Sequence, residues 1–536
     1  MTPPGKRYHR AMLRNAHAAF VAVILCGAVI SAQTPAPGTT TASPSLPDLG
    51  PPAALPEGAP PHLALIDRDG LRTHAYWLAD DAREGRYTSS KGQQATAKYV
   101  ADHFQKLGLK PLGDKKGFLQ SYPLVRTYLD ASTGLAFGTT KANSDFAVLP
   151  ASASDKVNLA GRFVWCGNGG AEQVAAGLEG KIPLVMLHSA DSGGGPGKDL
   201  QAVQRFQHIA EQLAKGGASA GVVCLLDNQT SLANTLNYRG LLPDHPQLRY
   251  GNADKLLELR VPLLVLPGAQ SRLLCTHLGI ELDDTGGPKT GIVNEKATGR
   301  LTIVVKQDPK GSSTNVVAVL EGTSRKAEAV VFSAHHDHLG RRLDGDTFNG
   351  ADDNASGTAG LLELAEAFAK GGPRPERSIV FLSVSGEELG LWGSEWFANH
   401  PTWPLDKIVA DVNIDMIGRA TEKDGKTLMQ VTPSHQHEKY SSIVREGVAL
   451  GKILGITFIS GDQYYRRSDH FNFAEKGVPV VFFCDGEHPD YHQVTDSADH
   501  LDYVRMEAIA RLAFWTGWGV AQAKGKPKEL GKQADW

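Results

Sequence analysis

The stretch Ala329-Val330-Val331-Phe332-Ser333-Ala334-His335-His336-Asp337-His338 sets the frame for the whole chain. Its first six residues are apolar or small, as in a strand buried on both faces of a sheet. Imidazoles and a carboxylate follow at once where the apolar run stops. Runs of similar length recur at Ser378–Ser385, Ile408–Ile414 and Val478–Cys484. Between the first two runs, Leu361, Leu364, Ala365 and Phe368 form one helical stripe within Asn354–Lys370. Upstream, Tyr99, Val100, Phe104 and Leu107 are spaced for another helix, ended by Gly108. Strand–helix–strand repetition of this kind predicts an α/β fold: a mixed, largely parallel sheet sandwiched by helices.

Polar motifs stand at each of these strand ends. Asn349-Gly350-Ala351-Asp352-Asp353-Asn354-Ala355-Ser356-Gly357 leads into the helix, and Ser385-Gly386-Glu387-Glu388-Leu389-Gly390 follows the second run. Asn413-Ile414-Asp415-Met416 closes the third, and Tyr491-His492-Gln493 comes after the last. In an open α/β sheet, ligands bind at the carboxyl edge of the strands, where these motifs collect. Together they offer imidazoles and carboxylates without a thiolate, a donor set suited to zinc, with cobalt or manganese as substitutes. Taken singly, each has a plain structural explanation: Asp352, Asp353 and Asn354 suit a helix cap, and Glu387-Glu388 suits a helix start. Five in this order, at or just beyond strand ends, are poorly explained by chance.

The rest of the chain bounds the reading. It has 536 residues, too many for one ordinary domain, and is 41% hydrophobic and 21% charged, as expected of a globular protein. With 55 basic and 58 acidic residues, the net charge of −3 gives no global field for nucleic acid, and none is expected as a partner. Lys6, Arg7, Arg10 and Arg14 precede an apolar run from Ala18 to Ile30 and then Ser31-Ala32-Gln33. That order resembles a secretory signal peptide over residues 1–32, so a secreted or periplasmic location is expected. The run is shorter than the roughly 20 residues of a membrane span, so an uncleaved anchor is the weaker reading and no stable span is expected after signal removal. Residues 33–61 are rich in Pro, Ala and Thr and read as a linker, and 526–536 reads as a flexible tail. Cys166, Cys224, Cys275 and Cys484 remain after the signal, and Cys166 and Cys224 sit in apolar runs that suit unpaired thiols.

Residues 125–299 differ in texture, with short apolar runs, the Gly-rich turn Ser192-Gly193-Gly194-Gly195 and a helix around Gln201–Lys215. The strand-like Gly180–Val185, that helix, and Gly216–Val223 resemble a protease-associated (PA) domain. A generic α/β insertion is the competing reading.

The five motifs resemble peptidase family M28, the di-zinc aminopeptidases and their relatives. Ser313–Gly322, Ser468-Asp469-His470-Phe471, Gly477-Val478-Pro479-Val480 and the early stretch from Glu84-Gly85-Arg86 to Gly108-Leu109 carry the same likeness. The resemblance implies a discontinuous zinc-exopeptidase domain over 66–124 and 300–525, with the β-rich PA-like domain inserted at 125–299. It implies two Zn²⁺ ions held by His335, Asp352, Glu388, Asp415 and His492. Asp352 would bridge them through a cis Asp352–Asp353 peptide, and Asp337 would orient His335. Glu387 would be the general base for a metal-bridging hydroxide. Tyr465 is the first choice for a phenol that stabilises the oxyanion, with Tyr491 its competitor. The implied activity is removal of N-terminal residues from peptide substrates. A carboxypeptidase or dipeptidase stays open, because Arg466 and Arg467 beside Tyr465 could clamp a carboxylate. A binding protein built on the same scaffold is the reading from another class, and the intact ligand set argues against it.

Overall fold

The computed structural model describes residues 48–142, 145–188, 198–226, 236, 240–243, 245–251, 259–343, 345–423 and 426–536. The expected signal peptide, most of the linker and the turn Ser192–Gly195 lie outside the described residues. The main sheet is built around β1 (Leu119–Leu129), β2 (Thr298–Leu320), β3 (Arg325–His335), β4 (Arg377–Val384), β5 (Ile408–Ile414), β6 (Lys426–Thr432), β7 (Thr457–Ser460) and β8 (Val480–Cys484). Their spatial order is β1-β2-β4-β3-β5-β8-β6-β7. The central pairs β4–β3, β3–β5 and β5–β8 are parallel, while β1–β2, β2–β4 and β8–β6 are antiparallel. The sheet is mixed and largely parallel at its centre.

Alternation along the strands explains why both faces are covered. Val330, Phe332 and Ala334 of β3 enter one core with α1 (Arg68–Leu78), α2 (Lys91–Lys106), α3 (Gly357–Lys370) and α4 (Tyr503–Gln522). Ala329 and Val331 point the other way, into a second core with Phe397 and Phe473 from two short helices. Each strand therefore buries apolar atoms on both sides, and the period-2 signal is replaced by a continuous run. Burying one such Phe or Val contributes about 1.5–3 kcal/mol. Helix α4 comes so close to β3 that a Cβ on Gly517 would lie 2.1 Å from the Phe332 ring.

Residues between β1 and β2 collect apolar cores of their own. Their parallel strands Lys156–Trp165, Ile182–Leu187, Gly221–Leu225 and Leu263–Leu266 carry Ala147–Leu149 as an antiparallel edge. The long β2 joins the two bodies. Its first part pairs with Lys156–Trp165 and its last part with β4, across an irregularity between Asp308 and Gly311. The positions 124/125 and 299/300 thus fall inside continuous strands. The segment 247–250 reaches back, packing Leu248 and Tyr250 against Tyr122 and Trp392.

The segment after residue 48 and the C-terminal tail are both tied down further than composition suggests. Arg68 and Arg511 donate to the carbonyls of Leu49 and Ala53, which holds the end of the Pro/Ala-rich stretch against α4. The tail is anchored by Leu530 N donating to Tyr440 O, by Gln533 N donating to His435 O, and by Trp536 against His435 and Phe458. Isolated backbone bonds and one terminal indole supply that anchorage, and neither leaves a periodic signature. Cys166, Cys224, Cys275 and Cys484 are all buried and free. Among the described residues, no helix is long and apolar enough to cross a membrane.

Candidate metal centre

The four parallel strands deliver their polar ends to one place. His335 is the last residue of β3, Glu387 and Glu388 follow β4, and Asp415 follows β5. Asp353 lies in the turn Ala351–Ser356 that opens α3, and His492 lies in the loop after β8. All are buried or nearly so.

Two donor triads result. His335 Nε2 is 3.3 Å from Asp353 Oδ1 and 3.3 Å from Asp415 Oδ1. His492 Nε2 is 3.0 Å from Asp353 Oδ2 and 3.1 Å from Glu388 Oε2. Two donors each about 2.0 Å from one tetrahedral zinc stand roughly 3.3 Å apart, so the contacts made by each histidine have the spacing of co-ligands. The second triad also lacks the angles of hydrogen bonds, since buried His492 Nε2 has no hydrogen-bond partner despite those short separations. The nitrogen and oxygen donors therefore fit zinc, with Asp353 contributing one oxygen to each triad.

The expected bridging residue is corrected by this geometry. Asp352 Oδ1 accepts from Gly418 N at 2.7 Å, and its Oδ2 faces His488 Nε2 at 3.2 Å. Asp352 is thus turned away from both triads, and Asp353 occupies the shared position. The two neighbours sit in a turn that aims consecutive side chains in different directions, which spacing alone does not resolve. The cis peptide is likewise Asp353–Asn354 rather than Asp352–Asp353.

The remaining expected residues divide. Asp337 is fully buried and accepts from Thr88 Oγ1 at 2.6 Å and from Glu387 N at 3.3 Å. His335 Nδ1 lies 3.2 Å from the Asp337 carbonyl oxygen and 3.8 Å from its carboxylate, so the main chain is the nearer partner. Asp415 Oδ2 accepts from Ser468 Oγ, which in turn accepts from Asn413 Nδ2. Glu387 stands 3.9 Å from His335 Nε2, outside both triads. Burial pushes its carboxyl well above the ordinary value, opposed by His335 and assisted by Glu388 and Asp415. His492 is held up at about 10: burial opposes its charge, but Glu388 and Asp353 outweigh that penalty.

Tyr465 is not brought to the centre. Its ring lies 4.0 Å from that of His437 and edge-on to His470 and Phe471, within the second core. The phenols that do line the cavity over Asp353, Glu387 and Asp415 are Tyr464 and Tyr491, with Met416, Phe482, Cys484 and Arg467. A short helical turn at Asp462–Tyr464 decides which of the adjacent tyrosines faces inward. Arg467 is bound to Glu487 at 2.6 Å and to Tyr491 Oη at 3.3 Å, while Arg466 lies over Phe471.

Two contributors were not singled out by sequence reasoning. His338 Nδ1 donates to Glu388 Oε1, 2.6 Å away. Arg86, fully buried, donates to the carbonyls of Leu78, His336, Asn349 and Gly350, stapling the His335 loop to the Asp353 loop. Both stand inside stretches that the sequence marks, yet neither has a spacing that declares its role.

Known proteins resemble this chain most clearly over the part that carries these residues. Residues 315–516 match peptidase family M28. Aminopeptidase YwaD of Bacillus subtilis (strain 168) is 26% identical over 241 residues, covering 43% of this chain and 50% of that protein. A protein from Pyricularia oryzae named "Probable zinc metalloprotease" is 30% identical over 255 residues, covering 39% of this chain and 50% of its own. The chain spans about half the length of these curated relatives. The structure of BSAP, a zinc aminopeptidase from Bacillus subtilis, superposes with a TM-score of 0.52 at 19% identity, over 86% of this chain and 97% of that one. That last likeness is one of fold. The stretch that matches peptidase family M28, residues 315–516, is the one that holds both donor triads.

Proposed function

We propose that this protein is a zinc-dependent metallopeptidase, and specifically a di-zinc aminopeptidase. The observation that carries the reading is Asp353, which places one carboxylate oxygen in each of two donor triads. His335 and Asp415 would hold one ion with Asp353, and Glu388 and His492 would hold the other with it. When bound, a pair of zinc ions supplies Lewis acidity toward the scissile carbonyl and lowers the pKa of water.

The chain's own residues supply the rest. Glu387 lines the cavity but stays outside both triads, so its carboxylate is free to take the proton of the attacking water and return it to the leaving amine. Its backbone N–H is held by Asp337, which fixes the turn that carries it. Tyr491 replaces Tyr465 as the phenol donor for the developing oxyanion. Burial first, then Asp353 and Glu388, push its hydroxyl well above the ordinary value, which keeps the proton on it. Met416, Phe482 and Cys484 give the cavity an apolar wall for a substrate side chain.

The carboxylates at the cavity floor favour a substrate that brings a free ammonium group. Arg467 supports a second reading, a carboxypeptidase or dipeptidase, because its guanidinium lines the same cavity. Its charge is already taken by Glu487, which favours the aminopeptidase. We read the region 125–299 as a PA-like insertion and residues 1–32 as an export signal. The deciding experiment is metal content of the purified chain together with cleavage of free and N-blocked peptides, with and without chelator. Two zinc ions per chain and chelator-sensitive release from free N-termini are expected. Cleavage of N-blocked peptides alone would replace this reading by the carboxypeptidase, and a metal-free, inert chain would overturn both.

A further inference from the structure

We propose that His338 is a positioning residue for Glu388, holding that carboxylate so that its other oxygen is presented to the second ion. The inference rests on the two-ion reading above and adds to it a side chain that belongs to neither triad.

The distances separate a positioning role from direct ligation. His338 Nδ1 is 2.6 Å from Glu388 Oε1 and 3.9 Å from Asp353 Oδ2. Co-ligands of one tetrahedral zinc stand roughly 3.3 Å apart. A separation of 2.6 Å is too short for that and suits an N–H donating to a carboxylate. The contact is to Oε1, while Oε2 is the oxygen that faces His492 at 3.1 Å. One oxygen of Glu388 is thus anchored and the other is aimed.

The anchor matters because the last torsion of a glutamate is broad and soft. His338 makes the shorter of the two histidine contacts to the Glu388 carboxylate, 2.6 Å against 3.1 Å from His492. His338 in turn has no freedom to follow a moving partner. It is fully buried, its backbone N–H donates to Arg86 O, and a Cβ on Gly350 would lie 2.4 Å from its ring carbons. Its ring meets His492 edge-on, with centroids 5.7 Å apart. Nε2 is buried without a hydrogen-bond partner, so Nδ1 is the ring nitrogen that the structure engages.

Partners of this kind around metal ligands are worth about 10–100-fold in affinity. The test uses two amides of similar polarity: Asn places its N–H₂ near the Nδ1 position, whereas Gln places it near Nε2. Full-length wild type, His338→Asn and His338→Gln are titrated with zinc against a competing chelator, and the melting of each metal-free form checks folding. Expected are two ions in wild type and in His338→Asn at matching affinities. In His338→Gln one ion should bind as in wild type and the other about 10–100-fold more weakly. Equal affinities in all three proteins, or equal weakening in both variants, overturn the positioning role. Fewer than two ions in wild type overturns the two-ion reading itself, and the inference with it.

Discussion

Asp353 Oδ2 lies 3.0 Å from His492 Nε2, while the same carboxylate turns its Oδ1 to His335. One side chain therefore faces the end of β3 with one oxygen and the loop after β8 with the other. Asp353→Ala should abolish binding of both ions, since each triad loses a donor. Asp352→Asn should keep both, because its carboxylate faces Gly418 N and His488 rather than either triad. Its cost should be stability, about 1–3 kcal/mol for disturbing a buried hydrogen bond. Zinc content of the two variants checks the pair, and loss of metal in Asp352→Asn alone would return the bridging role to Asp352.

Much of this arrangement was legible before the fold. The apolar runs ending at Ala334, Ser385, Ile414 and Cys484 are strands whose ends fall within a residue of those positions, because burial on both faces forces continuous hydrophobicity. Their polar ends fall together because parallel strands share one carboxyl edge. What was not legible is rotation within a turn. Asp352 against Asp353, and Tyr465 against Tyr464, are choices between neighbours that only local backbone geometry makes. His338 was equally hidden, as its role depends on a loop 50 residues away that carries Glu388. The docked tail escaped notice because one Trp and a few backbone bonds suffice to hold it.

Glu387 tests the chemistry apart from the metal. It shares the cavity with Asp353 and Asp415 but is no member of either triad. Glu387→Gln keeps the volume and removes the base, so zinc content should be unchanged while kcat falls about 10²–10⁴-fold. Burial holds its carboxyl high, so activity should fall as pH drops and the base becomes protonated. Turnover near wild type in the zinc-loaded variant would remove Glu387 from the reaction.

Arg467 distinguishes the two peptidase readings. Its guanidinium is engaged by Glu487 and Tyr491 Oη. If the substrate brings an amine, Arg467→Met should leave KM for C-terminally amidated peptides within about threefold, since no charged contact to substrate is lost. If it brings a carboxylate, cleavage of dipeptides should fall about 10–100-fold, the worth of one charge-assisted hydrogen bond. Parallel kinetics on amidated peptides and free dipeptides decide between them, and the first outcome is expected.

Glu363 and His74 give the fold a pH dependence remote from the metal centre. His74 Nε2 lies 3.6 Å from Glu363 Oε1, and His74 Nδ1 meets Tyr99 Oη at 2.7 Å. Burial, then Asp67 and Glu366, push Glu363 up to about 8, and burial, then His103, pushes His74 down to about 3. Between the ordinary carboxyl value and about pH 6.5, the folded chain keeps a proton on Glu363 while the unfolded chain keeps one on His74, so the two effects oppose. Above pH 6.5 only Glu363 counts. The folded state then holds the extra proton, and stability falls as pH rises toward 8. The slope is about 1.4 kcal/mol per pH unit, or about 2 kcal/mol over that window. Glu363→Gln should abolish this loss and leave only the His74 effect, a gain of stability as pH rises from about 3 to 6.5. Denaturation of wild type and variant at pH 6.5 and 8 measures the difference directly, with the metal ligands common to both. An identical pH response in the two proteins would mean that Glu363 ionises in the folded state at its ordinary value.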